Sequence, residues 1–229
     1  MATKKKETEK ELEVGEIVSR SEQFVEKHKN NLIYGIVAVA AVVGIILGYQ
    51  YGYAKPKGEK AELAIFRAEQ YFEKDSFALA LHGNGINVEG FEEIIDQYGG
   101  TKSGNLAKAY AGICYYKLGD AETAIKKLKS FKGDDKQIAP TMIGLIGDCY
   151  VSTGDIKEGI SFFEKAASKA DNQVISPIYL KKAGIAYENL KQYKDAIKVY
   201  TQIKEKYSRS MEASDIDKYI TRAEILSKQ

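Results

Sequence analysis

From Asn30 to Ala54 the chain carries no charged residue, and the centre of that run, Leu32 to Tyr49 (LIYGIVAVAAVVGIILGY), holds no proline either. A helix rises about 1.5 Å per residue and a bilayer core is about 30 Å thick, so about 20 helical residues suffice to cross it. The stretch predicts a transmembrane helix over 30–54. A buried soluble helix would need apolar partners on every face, and neither flank supplies them. A cleaved signal peptide is the other alternative, because Gly52-Tyr53-Ala54 offers small residues for cleavage. Against it, 31 residues precede the apolar core, and that core exceeds the roughly 7–15 residues of a signal sequence.

Within the run, Ala40, Gly44, Gly48 and Gly52 recur every fourth residue and stack in one row. Small residues at this spacing let a second helix approach closely in lipid. The row is therefore a candidate packing face, with a second copy of the chain and a different membrane partner equally open. Sidedness is not decided by charge: Arg20, Lys27 and Lys29 precede the span, and Lys55, Lys57 and Lys60 come after it.

Residues 1–29 form a charged tail in which Leu12, Val14, Ile17, Val18, Phe24 and Val25 mark a weakly amphipathic helix. Lys55-Pro56-Lys57-Gly58 predicts a short hinge over 55–60, since proline restricts the residue before it and glycine loosens the residues after it. Net charge is +2 over 229 residues, which leaves no electrostatic footprint for nucleic acid. Tyrosine is abundant (16), tryptophan absent and proline rare (3), a composition that favours helices with few breaks.

Beyond the hinge the chain repeats itself. Gly112, Tyr115, Ala124 and Leu128 are succeeded by Gly147, Tyr150, Gly159 and Phe163, and then by Gly184, Tyr187, Ala196 and Tyr200. The steps within each set are three, nine and four, and the sets lie 35 and 37 residues apart. Between the halves of each set falls a turn: Leu118-Gly119-Asp120, Thr153-Gly154-Asp155 and Leu190-Lys191-Gln192-Tyr193. A fainter copy precedes them at Ala68, Tyr71 and Ala80.

Such spacing predicts two helices per repeat. Small residues remove bulk where the backbones cross, and Tyr115, Tyr150 and Tyr187 are expected to fill the seam toward the next repeat. Gly-Asp ends one helix in a left-handed cap and starts the next with a capping carboxylate. The glycine at 159, where the other sets have alanine, is expected to soften its hairpin. In the first copy an insertion at 82–90, His82 to Gly90, predicts a helix interruption; with a single carboxylate, Glu89, beside Asn84 and Asn87, it lacks the acidic ligands of a calcium loop. Cys114 and Cys149 occupy equivalent positions before the seam tyrosines and are expected to be free, buried packing residues.

These sets resemble the tetratricopeptide repeats, over roughly residues 61–210. The resemblance implies an all-α fold: an α-α superhelix of about four helical hairpins, closed by a capping helix over 211–229 and preceded by one transmembrane helix. Pro140 and Pro177 depart from the pattern, opening repeats rather than closing them. In such an array the first helices line an inner face. By offset from the seam tyrosines its candidates are Ile65, Glu69, Phe72, Leu106, Ile113, Tyr116, Lys117, Asp148, Val151 and Ile185. Apolar and charged residues alternate there, which suits an extended polypeptide rather than a small molecule.

No nucleophile elbow, phosphate-cradling glycine loop or metal-ligand motif is present, so the sequence reads as non-enzymatic, without cofactor or metal. The whole layout resembles bacterial single-span tetratricopeptide proteins of the YfgM-like class. That resemblance implies an inner-membrane protein with a cytoplasmic N-terminus and periplasmic repeats, acting as an ancillary translocon or chaperone-type factor that binds translocon subunits or exported clients. A scaffold subunit of an envelope assembly or secretion complex is the alternative. A cytosol-facing adaptor for acidic chaperone tails is less well served, because Lys117, Lys181 and Lys182 are dispersed.

Overall fold

The computed structural model describes residues 26–31 and 33–229. The amphipathic helix expected over 12–25 and Leu32 at the head of the apolar core lie outside the described residues. The chain divides into two compact units, 1–56 and 57–229.

In the first unit, residues 26–31 and 33–49 are helical (α1), and a π-helical turn, Gln50–Ala54, continues them. Every side chain from 33 to 53 is exposed. The run belongs to a helix, Glu26–Phe72, that is long and apolar enough to cross a membrane. The expected hinge at 55–60 is not a break: these residues open helix α2, Lys55–Phe72. In a regular α-helix the Pro56 ring would meet the carbonyl of Gly52, four residues back. The π-turn, in which the Lys55 N–H reaches the Gln50 carbonyl, widens the backbone at that point, and the helix passes the proline intact.

The second unit continues as α3 (Phe77–His82), α4 (Phe91–Tyr98), α5 (Lys102–Lys117), α6 (Ala121–Ser130), α7 (Ile138–Ser152), α8 (Ile156–Ala170), α9 (Ile175–Asn189), α10 (Tyr193–Lys206) and α11 (Ile216–Leu226). No strand occurs among the described residues. Three complete hairpins, α5/α6, α7/α8 and α9/α10, stand in register with the three sequence sets. The first copy is α2 joined to a second helix split into α3 and α4. Its interruption is held by Asn84, whose side-chain oxygen accepts the backbone N–H groups of Ile86, Asn87 and Val88 at 3.0–3.1 Å.

The same turn closes each full hairpin. Backbone N–H groups of Asp120, Asp155 and Gln192 reach back to the carbonyls of Tyr115, Tyr150 and Tyr187, each at 2.9 Å. Gly119 and Gly154 take the required left-handed conformation at φ +88° and +89°, and Lys191 takes it at +58° without glycine's freedom. Asp120 and Asp155 then cap the next helices through the N–H of Thr123 and Glu158; Gln192 makes no such bond. Pro140 and Pro177 are the third residues of α7 and α9, inside the first turn, where backbone donors have no helical partner to lose.

Within each hairpin the leading glycine of the set faces the large residue that ends it. A Cβ on Gly112 would stand 2.5 Å from Leu128 Cγ, one on Gly147 2.7 Å from Phe163 Cδ1, and one on Gly184 2.2 Å from Tyr200 Cε1. Gly159 does not loosen its hairpin. A Cβ there would meet Val151 Cγ2 at 2.6 Å and the Gly147 carbonyl oxygen at 3.0 Å, so the missing methyl is what admits the close backbone approach.

The seam tyrosines point the opposite way from the expectation. The Tyr115 hydroxyl donates to Glu92 Oε1 on α4 at 2.7 Å, and the Tyr187 hydroxyl to Glu164 Oε1 on α8 at 2.9 Å. The Tyr150 hydroxyl accepts from Lys129 Nζ on α6 at 2.7 Å. Each tyrosine therefore locks onto the second helix of the preceding hairpin. An α-helix presents its side chains tilted toward its own N-terminus, and sequence spacing alone does not say which neighbour that tilt will face. Glu92 also pairs with Lys127 of α6, so Tyr115 closes a three-residue cluster. At the C-terminal end α11 packs on α10, with Tyr219, Ile220 and Ala223 against the core beside Tyr200 and Ile203.

Candidate functional site

The first helices of the hairpins form one continuous face. Lys182 of α9 reaches both carboxylate oxygens of Asp148 on α7 at 2.8 and 2.7 Å. Lys181 of α9 reaches Asp215 at 2.8 Å, on the 3₁₀ turn Glu212–Asp215 that precedes α11. Burial acts to lower the Lys181 ammonium, but the Asp215 hydrogen bond and charge win and raise it; Lys181 in turn holds the Asp215 carboxyl below its usual range. Burial, together with Asp148, raises the Tyr116 phenol.

Two recesses open on this face. One, of 770 Å³, lies where α5 and α7 end and is lined by Tyr116, Leu118, Asp120, Glu122, Ser152 and Thr153 among others; Leu118 is 50% exposed. The other, of 430 Å³, lies between α9 and the turn before α11 and is lined by Ile178, Lys181, Lys182, Ile185, Met211 and Asp215 among others.

Of the ten residues expected on this face, Tyr116, Lys117, Asp148 and Ile185 present side chains to it, with Tyr116 in the first recess and Ile185 in the second. Leu106, Ile113 and Val151 are half-buried and pack on the core between hairpins. Three others are corrected. Ile65 is only 5% exposed and belongs to the core of the first copy. Phe72 makes edge-on contacts with Phe77, Phe91 and Tyr110, its ring centroid 4.9 Å from that of Tyr110. Glu69 is half-buried against Tyr110; burial raises its carboxyl, with the Tyr110 hydrogen bond opposing and Glu73 adding. The split second helix is the cause: it lets α4 and α5 close over α2 where a full hairpin would leave it open. Sequence spacing misses Ile178, Leu118 and Met211. Ile178 sits two helical turns before Ile185, a signal that the sequence does contain. Met211 lies in a turn outside the repeat pattern, where no periodicity points to it.

Of the row in the apolar helix, a Cβ on Gly44, Gly48 or Gly52 would meet nothing within 4 Å, and Gly52 falls in the π-turn. Cys114 and Cys149 are free and buried, and burial pushes their thiols up to about 12 and about 11, with Asp148 adding to the second. Among the described residues no three His, Cys, Asp or Glu side chains gather as a metal site.

The tetratricopeptide-repeat pattern matches residues 110–135 and 180–210, and a second form of it matches 140–168. The chain carries tetratricopeptide repeats. The matched stretches fall on α5/α6, α7/α8 and α9/α10, and mark this unit as a protein–protein interaction module. Among solved structures, a crystal structure of Podosopora anserina kinesin light chain nearly identical TPR-like repeats is similar with a TM-score of 0.55 at 12% identity, covering 75% of this chain and 88% of that one. The crystal structure of MamA protein is similar with a TM-score of 0.53 at 15% identity, covering 75% and 93%. Identity at this level speaks to the fold alone. No curated protein matches the sequence.

Proposed function

We propose that this chain is a membrane-anchored adaptor, in which the apolar helix fixes the protein in a bilayer and the first-helix face of the repeats holds extended segments of other polypeptides. One observation carries the reading: the face of α5, α7 and α9 leaves apolar side chains exposed, Leu118 in one recess and Ile178, Ile185 and Met211 in the other, while the rest of the seam is packed. The tetratricopeptide repeats support a binding role. The layout of tail, span and repeats supports the setting its resemblance implies, a bacterial inner membrane with periplasmic repeats and clients or translocon subunits as partners. The row Ala40, Gly44, Gly48 and Gly52 serves as the face for a second membrane helix.

Crosslinking in native membranes from a photoreactive residue at position 116 tests the adaptor role. Capture of exported polypeptides and translocon subunits is expected. Capture of one stoichiometric folded partner would favour the scaffold alternative, and no capture above background would sink both. Gly44→Leu with Gly48→Leu is expected to reduce co-purification of the membrane partner without unfolding the repeats; unchanged co-purification removes the packing face.

A further inference from the structure

The recess between α9 and the 211–215 turn has a composition that selects among polypeptides. Its apolar part is exposed: Ile178 38%, Ile185 42% and Met211 87%. Ile178 and Ile185 lie on one stripe of α9, two turns apart, and Met211 lines the same recess from the turn, a flexible thioether able to adapt to what enters. At 430 Å³ the space is small for a ligand site, since such sites run to about 300–1,000 Å³. It suits a side-chain anchor.

Its charged part is already satisfied from within. Lys182 holds Asp148 through two contacts, and Lys181 holds Asp215 while lying 4.5 Å from the centre of the Tyr219 ring. Glu212 lines the recess as well, adding a negative charge. An acidic segment would have to displace two carboxylates held in place by the fold before it met a free ammonium group, and Glu212 would oppose it. An uncharged aliphatic side chain faces no such exchange and gains by leaving water.

We propose that this recess receives an uncharged, branched aliphatic side chain of an extended polypeptide, and that the surrounding internal ion pairs turn acidic segments away. The inference rests on the adaptor reading and narrows its partner chemistry.

The chain's three methionines make the test direct. Full-length protein labelled with ¹³C at the methionine methyl groups and reconstituted in nanodiscs has an exposed reporter at Met211 and a buried reference at Met142. Titration with a capped glycine-serine peptide carrying a central isoleucine-valine pair is expected to move the Met211 resonance saturably and leave Met142 in place. The same peptide with both aliphatic residues replaced by aspartate is expected to move neither. Equal or stronger binding of the aspartate peptide overturns the inference. So does silence from both peptides: if the position-116 photoprobe still captures polypeptide, only the recess assignment fails, and if it does not, the adaptor reading falls with it. A second arm asks for a gain. Asp148→Asn with Asp215→Asn frees both lysines, and is expected to tighten the aspartate peptide by about tenfold or more with the Met142 signal unchanged. No gain in that variant would equally overturn it.

Discussion

Gly147 and Gly159 face each other so closely that a Cβ on either would stand 3.0 Å from the carbonyl oxygen of the other. In the flanking hairpins the second position is alanine, Ala124 and Ala196, fully buried. Helix propensity alone favours Gly→Ala by about 1 kcal/mol, so this contact sets two effects against each other. Gly159→Ala and Gly147→Ala are both expected to destabilise the repeat unit by about 1–3 kcal/mol, the cost of forcing extra bulk into a packed seam. Urea unfolding of the intact protein in detergent, monitored by circular dichroism, measures it. A stabilised Gly159→Ala would show that the approach of α7 and α8 relaxes freely.

The three turns offer a comparison within one chain. Lys191 adopts φ +58° where Gly119 and Gly154 adopt +88° and +89°, and a side chain in that region costs about 1–2 kcal/mol. Lys191→Gly is therefore expected to raise stability by about 1 kcal/mol, and Gln192→Asp by about 1 kcal/mol more through the missing cap. Gly119→Ala, in open space, is expected to lose about 1 kcal/mol from backbone strain alone. The midpoints of thermal melts for the three variants decide this; a loss on Lys191→Gly would contradict it.

Alkaline pH should unfold the repeat unit through its phenols. Burial, with neighbouring carboxylates adding for several, pushes Tyr110, Tyr115, Tyr179 and Tyr187 up to about 12, and Tyr200 upward as well. In the unfolded chain a phenol ionises near about 10. A raised folded pKa means that the folded state binds more protons over that interval, so stability is fully present below about pH 10 and is lost as pH rises toward about 12. Loss of helicity is expected to coincide with growth of the phenolate absorbance. Phenolate formation well before helix loss would mean that these hydroxyls are not held as described.

Thiol reagents provide an independent check on packing. With both cysteines buried and their thiols raised, neither should react in the native protein at neutral pH, and both should react on unfolding. Rapid labelling of Cys114 or Cys149 in the folded state would place an opening at the seam.

The parts of the fold legible in the sequence are the local ones. Glycine-tyrosine spacing marks three hairpins because the crossing of two helices recurs at fixed offsets, and Gly-Asp marks their turns because backbone conformation and capping act within a few residues. The hinge expected at 55–60 fails because the π-turn upstream makes room for the proline. Ile65 and Phe72 would line the binding face if the first copy were a full hairpin, and its split second helix buries them instead. The Lys182–Asp148 and Lys181–Asp215 pairs join residues 34 apart; such partners depend on how neighbouring repeats settle, and no sequence period marks them.

The backward reach of the seam tyrosines gives the stack a polarity for shortening. Hairpins removed from the C-terminal side leave every remaining hydroxyl with its acceptor or donor, because Glu92, Lys129 and Glu164 all lie upstream of the tyrosines they serve. Removal from the other side strands the leading tyrosine at once. Truncation from the C-terminus should thus shed repeats one by one, whereas truncation from the N-terminus exposes a broken polar contact at each new front.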